Sequence, residues 1–93
     1  MKYDIELTAG AEEDLERLTV EMARRVSRLL DILEDNPLGP PAQALAGDLR
    51  GLYRVRARGY RIVYSVDRGR KLVTIEAIAA RSVVYDVVVR RLH

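Results

Sequence analysis

Between Gly51 and Tyr64 the chain reads Gly-Leu-Tyr-Arg-Val-Arg-Ala-Arg-Gly-Tyr-Arg-Ile-Val-Tyr, with arginine alternating with apolar residues on both sides of one glycine. A period of two writes two β-strands and a tight turn. Arg54, Arg56 and Arg58 then share one face of the first strand, and Tyr53, Val55 and Ala57 share the other. If Arg58-Gly59 is a two-residue loop, Ala57 pairs with Tyr60 and Arg56 lies directly across from Arg61. A three-residue loop would reverse the parity and send Arg61 to the opposite side. Like charges set face to face across two strands are destabilising, so this pairing implies an anionic partner on the arginine face.

The rest of the chain supplies the cover such a hairpin needs. Tyr3 to Leu7 alternates with Asp4 and Glu6 and reads as a strand. Thr8 is placed to cap a short helix whose early turns carry Glu12, Glu13 and Asp14, favourable beside the positive end of the helix dipole; this acidic run reads as a solvated face. After Thr19 a second helix is predicted from Val20 to Asp35, where Met22, Val26, Leu29, Leu30 and Leu33 form one apolar stripe. Two helices alone would leave their stripes wet, so they must lie on a sheet. Asn36-Pro37-Leu38-Gly39-Pro40-Pro41 ends the helix, because proline removes an amide donor and disfavours helix in the residue before it. Ala42 to Asp48 reads as loop with one helical turn. In the second hairpin strand Tyr60, Ile62, Tyr64 and Val66 form the inward set against Arg61, Val63, Ser65 and Asp67. Leu72 to Ala79 is a largely apolar strand, central or covered on both sides, whose single charge, Glu76, is expected to pair with an arginine or lie at an edge. The tail from Ser82 is rich in valine, which favours strand, but Ser82 as a cap and the closing Arg90-Arg91 favour a short helix. The expected fold class is α+β: a small, mostly antiparallel sheet with an N-terminal helical hairpin on one face and a short C-terminal helix, as a single domain over residues 1–93.

Charge divides the chain in two. Residues 1–49 hold five basic and eleven acidic side chains, residues 50–93 eleven basic and three acidic, and fourteen of the sixteen cations are arginine. The basic half is therefore a directed surface suited to phosphate or carboxylate groups. With no cysteine and one terminal histidine, thiolate or imidazole metal centres and a Ser-His-Asp triad are excluded. No metal or cofactor is expected. No apolar run approaches the ~20 residues that span a bilayer, and the alternating N-terminus does not read as a signal peptide. The expected setting is the cytoplasm.

The order of strand, helical hairpin, proline-rich loop, Leu-x-Gly-Leu-Tyr-Arg-Val-Arg at 49–56, Gly-Tyr-Arg-Ile-Val-Tyr at 59–64, apolar strand, and Arg81 followed by Tyr85 resembles the RelE/ParE superfamily of bacterial toxins. The resemblance spans nearly the whole chain. It implies a cognate antitoxin as partner and one of two activities. RelE-like members cut mRNA in the ribosomal decoding site, and ParE-like members poison DNA gyrase without nuclease residues. In the RelE-like pattern, Arg54 and Arg56 match a basic pair two residues apart, Arg61 an arginine after Gly-Tyr, Arg81 an arginine at the end of the last strand, and Tyr85 a tyrosine near the C-terminus. Two features depart from it: arginines replace lysines at 54 and 56, and the interval from Arg81 to Tyr85 is shorter. Arginine is always charged, so positions 54 and 56 can hold charge but not exchange protons.

What the resemblance implies is a metal-free attack of a ribose 2′-hydroxyl on the adjacent phosphate. Arg61, Arg81 and Tyr85 form the expected catalytic set. Arg54, Arg56 and Arg58 are expected to bind RNA phosphates. Tyr85 is the nearby base by matching, and a phenol serves as one only where neighbouring cations favour its phenolate. The alternatives are a ParE-like gyrase poison and an inactive module that binds antitoxin. Tyr53, Tyr60 and Tyr64 read as core or rim aromatics.

Overall fold

In the computed structural model, which describes residues 2–93, the sequence becomes five strands and three helices. They run β1 (Asp4–Leu7), α1 (Ala9–Glu16), α2 (Val20–Asp35), β2 (Gln43–Ala44), a 3-10 turn (Gly47–Leu49), β3 (Tyr53–Ala57), β4 (Tyr60–Asp67), β5 (Leu72–Ala80) and α3 (Val84–Leu92). Both N-terminal helices start where a threonine oxygen replaces a missing acceptor: Thr8 Oγ1 accepts the Ala11 N–H and Thr19 Oγ1 that of Met22, each at 3.1 Å. After α2, Asn36 Oδ1 accepts the amides of Leu38 and Gly39 and turns the chain towards the sheet.

The strand order is β1-β5-β4-β3-β2, with β1 parallel to β5 and every other pair antiparallel. This is the α+β architecture expected. Under α1 and α2 lies the larger core, where Ala11, Val26 and Leu33 meet Val55, Ile62, Tyr64, Val73, Ile75 and Ile78. Tyr64 is buried whole, its ring stacked on Tyr53 at 5.9 Å and its hydroxyl donating to the Pro37 carbonyl at 2.7 Å. Burial, with Tyr53 beside it, pushes the Tyr64 phenol well above its ordinary pKa, so the hydroxyl stays a donor.

Several local expectations are corrected by the other face. Val63, placed by alternation among outward residues, is fully buried, because α3 closes over this face with Leu49, Leu52, Val63, Ala77, Val84 and Val88 as a second core. The segment 42–48, read as loop with one helical turn, contains the two-residue edge strand β2 before the turn at Gly47–Leu49. Two residues carry no readable period. The tail is helical, but its cap position is Val83, with no side-chain bond, instead of Ser82. A bulge at Glu76 sets Val63 against Ala77 and Tyr64 against Ile75, which shifts the β4–β5 register.

Asp14, expected on a solvated helix face, is only 8% exposed. Its position follows from the length of β1, which pairs with β5 only from Leu72 to Ile75 and leaves the later edge of β5 without a strand. Side chains complete that edge. Asp14 Oδ2 accepts the Ile78 N–H at 3.0 Å, and Arg91 donates to the Glu76 carbonyl at 2.9 Å.

Candidate functional site

The loop between β3 and β4 has two residues, so Arg56 faces Arg61 and Ala57 faces Tyr60. Arg61 in turn pairs with Ala79 on β5. One short row across the second face is thus Arg56, Arg61, Ala79, with adjacent backbones about 5 Å apart. Arg81 follows directly after β5, and its N–H donates to the Gly59 carbonyl at 2.8 Å, which fixes it beside the hairpin tip. Arg61 bends over the same tip, its Nη1 donating to the carbonyls of Arg58 and Tyr60 at 2.9 Å each.

Arg58 does not continue the strand face shared by Arg54 and Arg56, as alternation had placed it. β3 ends at Ala57, and Arg58 occupies the turn with φ +56°. A left-handed conformation costs a non-glycine residue about 1 kcal/mol, and glycine or asparagine would serve this turn better. The hairpin tip therefore carries two features opposed to stability: Arg56 facing Arg61, and an arginine in a glycine-like conformation. Among the described residues the ion pairs are Lys2–Asp35 and Arg91–Asp14, and neither includes Arg54, Arg56, Arg58, Arg61 or Arg81. The positive charge at the tip thus has no carboxylate counterpart among the described residues.

Arg54 stands apart from this group. Next to it in register is Gln43 of β2, and the Arg54 guanidinium donates to Gln43 Oε1. With 9% exposure it lies beneath the surface instead of on a solvated face, covered because β2 extends the sheet beside it. Its charge contributes to the field of the face while its side chain is held from the edge.

Tyr85 lies in the first turn of α3, half-buried, and packs with Ala79 against the second core. Since Ala79 is the register partner of Arg61, the phenol belongs to the same face as the arginine row. Two surface hollows lie close by, one along α3 and one that takes in Ala79. One, about 510 Å³, is lined by Asp48, Val83, Asp86, Val89 and Arg90; the other, about 190 Å³, by Asp14, Arg17, Leu18, Tyr60, Ile78, Ala79 and Ala80. Neither includes any of the matched arginines or Tyr85. Small-molecule sites are concave and enclosing, whereas a projecting arginine tip suits a polymer that is itself wrapped or positioned by something else.

Sequence reasoning missed Asp14 and Arg91. Arg91 Nη1 and Nη2 each lie 2.9 Å from the Asp14 carboxylate oxygens. Burial acts to raise the Asp14 pKa, but the Arg91 and Ile78 hydrogen bonds and the charges of Arg91 and Arg17 outweigh it and hold the group below its ordinary value. Glu76 is held above its ordinary value by burial, with Arg91 opposing. Among the described residues the Glu76 carboxylate forms no ion pair with an arginine; Arg91 binds its backbone carbonyl instead. The only signal for Asp14 was one aspartate among several acids, and no short-range pattern separates it from them.

With this geometry in view, the chain matches, over residues 5–85, the family model described as ParE toxin of type II toxin-antitoxin system, parDE. It is 41% identical to the protein named Toxin RelE of Mycobacterium tuberculosis over 86 residues, covering 89% of this chain and 86% of that one. The chain belongs to the RelE/ParE family of type II toxin–antitoxin toxins. Solved structures of the family superpose on it closely. The toxin-antitoxin complex RelBE2 from M. tuberculosis gives a TM-score of 0.80 at 26% identity, covering 87% of this chain and all of that one. The RelE-RelB complex from Pyrococcus horikoshii gives 0.72 at 30% identity, covering 87% and 97%. A free E. coli toxin RelE mutant, at 23% identity, shares the fold over the full length of both chains with a TM-score of 0.80. Among the described residues, no helix of this toxin is long and apolar enough to cross a membrane.

Proposed function

We propose that this toxin is an endoribonuclease that cuts mRNA in the ribosomal decoding site and so stops translation in the cytoplasm. The observation that carries the reading is the meeting of Arg56, Arg61 and Arg81 at the hairpin end, without carboxylate partners, on a chain 41% identical to Toxin RelE. The reaction is an intramolecular transfer. The ribose 2′-oxygen forms a bond to the adjacent phosphorus as the bond from phosphorus to the 5′-oxygen breaks, leaving a cyclic phosphate and a 5′-hydroxyl. Tyr85 takes the 2′-proton, Arg61 holds the scissile phosphate, and Arg81 offsets the charge that builds on the leaving 5′-oxygen, which takes its proton from water to become the 5′-hydroxyl. Arg56 and Arg58 bind flanking phosphates, and Arg54 strengthens the field from beneath. The ribosome supplies the alignment that an open arginine surface cannot impose. No cofactor enters this scheme.

The partner proposed for the free toxin is a cognate antitoxin, on the model of the RelB-bound relatives. An acidic or amphipathic segment would complement the arginine face. The test is controlled expression followed by primer extension. Discrete new 5′ ends within translated mRNA are expected, and growth arrest with intact transcripts overturns the reading. The match to the ParE model favours one other target, DNA gyrase; trapped gyrase cleavage complexes in the same cells would identify it.

A further inference from the structure

The bond network around Arg91 ties α3 to α1 across the edge of β5. Its guanidinium grips Asp14 of α1 with both terminal nitrogens and also binds the Glu76 carbonyl at the bulge of β5. Gly10 forms the floor: a β-carbon at residue 10 would stand 2.8 Å from Arg91 Cζ. The Thr8 hydroxyl reaches the same Glu76 carbonyl. This is a fitted receptor for one side chain, built from α1 and β5, and its occupant is the second-last residue of α3.

By itself α3 is a poor helix. Its nine residues include Val84, Val87, Val88 and Val89, it lacks a side-chain cap, and only Val84 and Val88 are buried. Isolated helices of this length are unstable in water, and β-branched residues weaken them further. Val84, Val88 and Arg91 lie on one stripe, so the two valines rest on the second face of the sheet while Arg91 reaches past its edge. Tyr85 sits at the other end of the helix, about 9 Å along its axis from Arg91.

We propose that the Asp14–Arg91 clasp is a positioning device for Tyr85: it holds α3 docked, and thereby sets the phenol against the arginine row. Asp14 and Arg91 are positioning residues that touch neither RNA nor the reacting atoms. The arginines that bind phosphate belong to β3, β4, their turn and the end of β5, so the clasp governs the rate of the chemical step and leaves substrate binding alone. This inference rests on the ribonuclease reading and on the role of Tyr85 within it.

The experiment measures cleavage of mRNA in purified programmed ribosomes for the wild type, Arg91→Ala, Tyr85→Phe and the double variant. Arg91→Ala is expected to lower kcat by about tenfold or more with KM within about twofold. In the Tyr85→Phe background the same change is expected to cost nothing further, since the group it positions is gone. Arg91→Lys and Asp14→Asn, which keep a donor or an acceptor in place, serve if Arg91→Ala does not fold. For Arg91→Lys, hydrogen exchange is expected to show faster opening of α3 with β4 and β5 unchanged. Additive losses in the two backgrounds, an unchanged kcat in the clasp variants, or full activity of Tyr85→Phe overturns the proposal while the ribonuclease reading stands. A wild-type protein that leaves ribosome-bound mRNA intact overturns both.

Discussion

The two faces of the sheet are covered differently. Beneath α1 and α2, Val55, Ile62, Tyr64, Val73, Ile75 and Ile78 are at most 2% exposed, and large apolar side chains fill the space between two capped helices. On the opposite face one uncapped nine-residue helix, with Leu49 and Leu52, covers Val63 and two small residues, Ala77 and Ala79, and the end of the face towards the hairpin tip carries Arg54, Arg56 and Arg61. Removing an apolar side chain from the first face forfeits packing; removing an arginine from the tip of the second forfeits charge that no carboxylate of the described residues balances. One face supplies the stability that the other spends on like-charge pairing, a left-handed arginine and an unpaired cation cluster.

The largest test of this contrast is Arg61→Ala combined with Arg81→Ala. Ribosome-dependent cleavage should fall about a thousandfold, while the unfolding free energy from urea titration stays within about 0.5 kcal/mol of wild type, as for surface substitutions. A large loss of stability would show that these arginines hold the fold and would break the comparison. Ile62→Ala on the first face should do the reverse, costing about 3 kcal/mol in urea unfolding with little change in specific activity of the folded fraction.

The clasp at the sheet edge sharpens the comparison through pH. The Asp14 pKa is depressed in the folded state, so its contribution is present above its unfolded value near 4 and lost as pH falls through the folded value. Asp14→Asn should therefore be less stable than wild type by about 2 kcal/mol at neutral pH, and the gap should close in acid urea titrations below about pH 4. A gap that persists unchanged at low pH would place the loss in packing. The smallest effect runs the other way. Arg58→Gly should raise stability by about 0.5–1 kcal/mol by relieving the left-handed conformation, measured by thermal unfolding, with a few-fold loss of cleavage.

Much of this arrangement was legible locally. The pairing of Arg56 with Arg61, the caps Thr8 and Thr19, and both bounds of α2 follow from period and cap chemistry acting over a few residues. What escaped depended on partners far along the chain. Asp14 is distinguished from its acidic neighbours only by the edge of β5 and by Arg91. Val63 is buried only because α3 returns over it, and Arg54 is covered only because a two-residue strand with no pattern of its own lies beside it. For the site residues, sequence order gave identity, while the register gave their neighbours: Arg61 and Arg81 at the tip, Arg54 beneath it.

The pairing of β1 with β5 has a consequence for synthesis. The first strand has no partner until the last one exists: Thr8 meets Glu76 across 68 positions, and Asp14 meets Arg91 across 77. Such distant contacts form late in folding. On the ribosome that makes the chain, the clasp stays open and the sheet edge unfinished until Arg91 has emerged to meet Asp14.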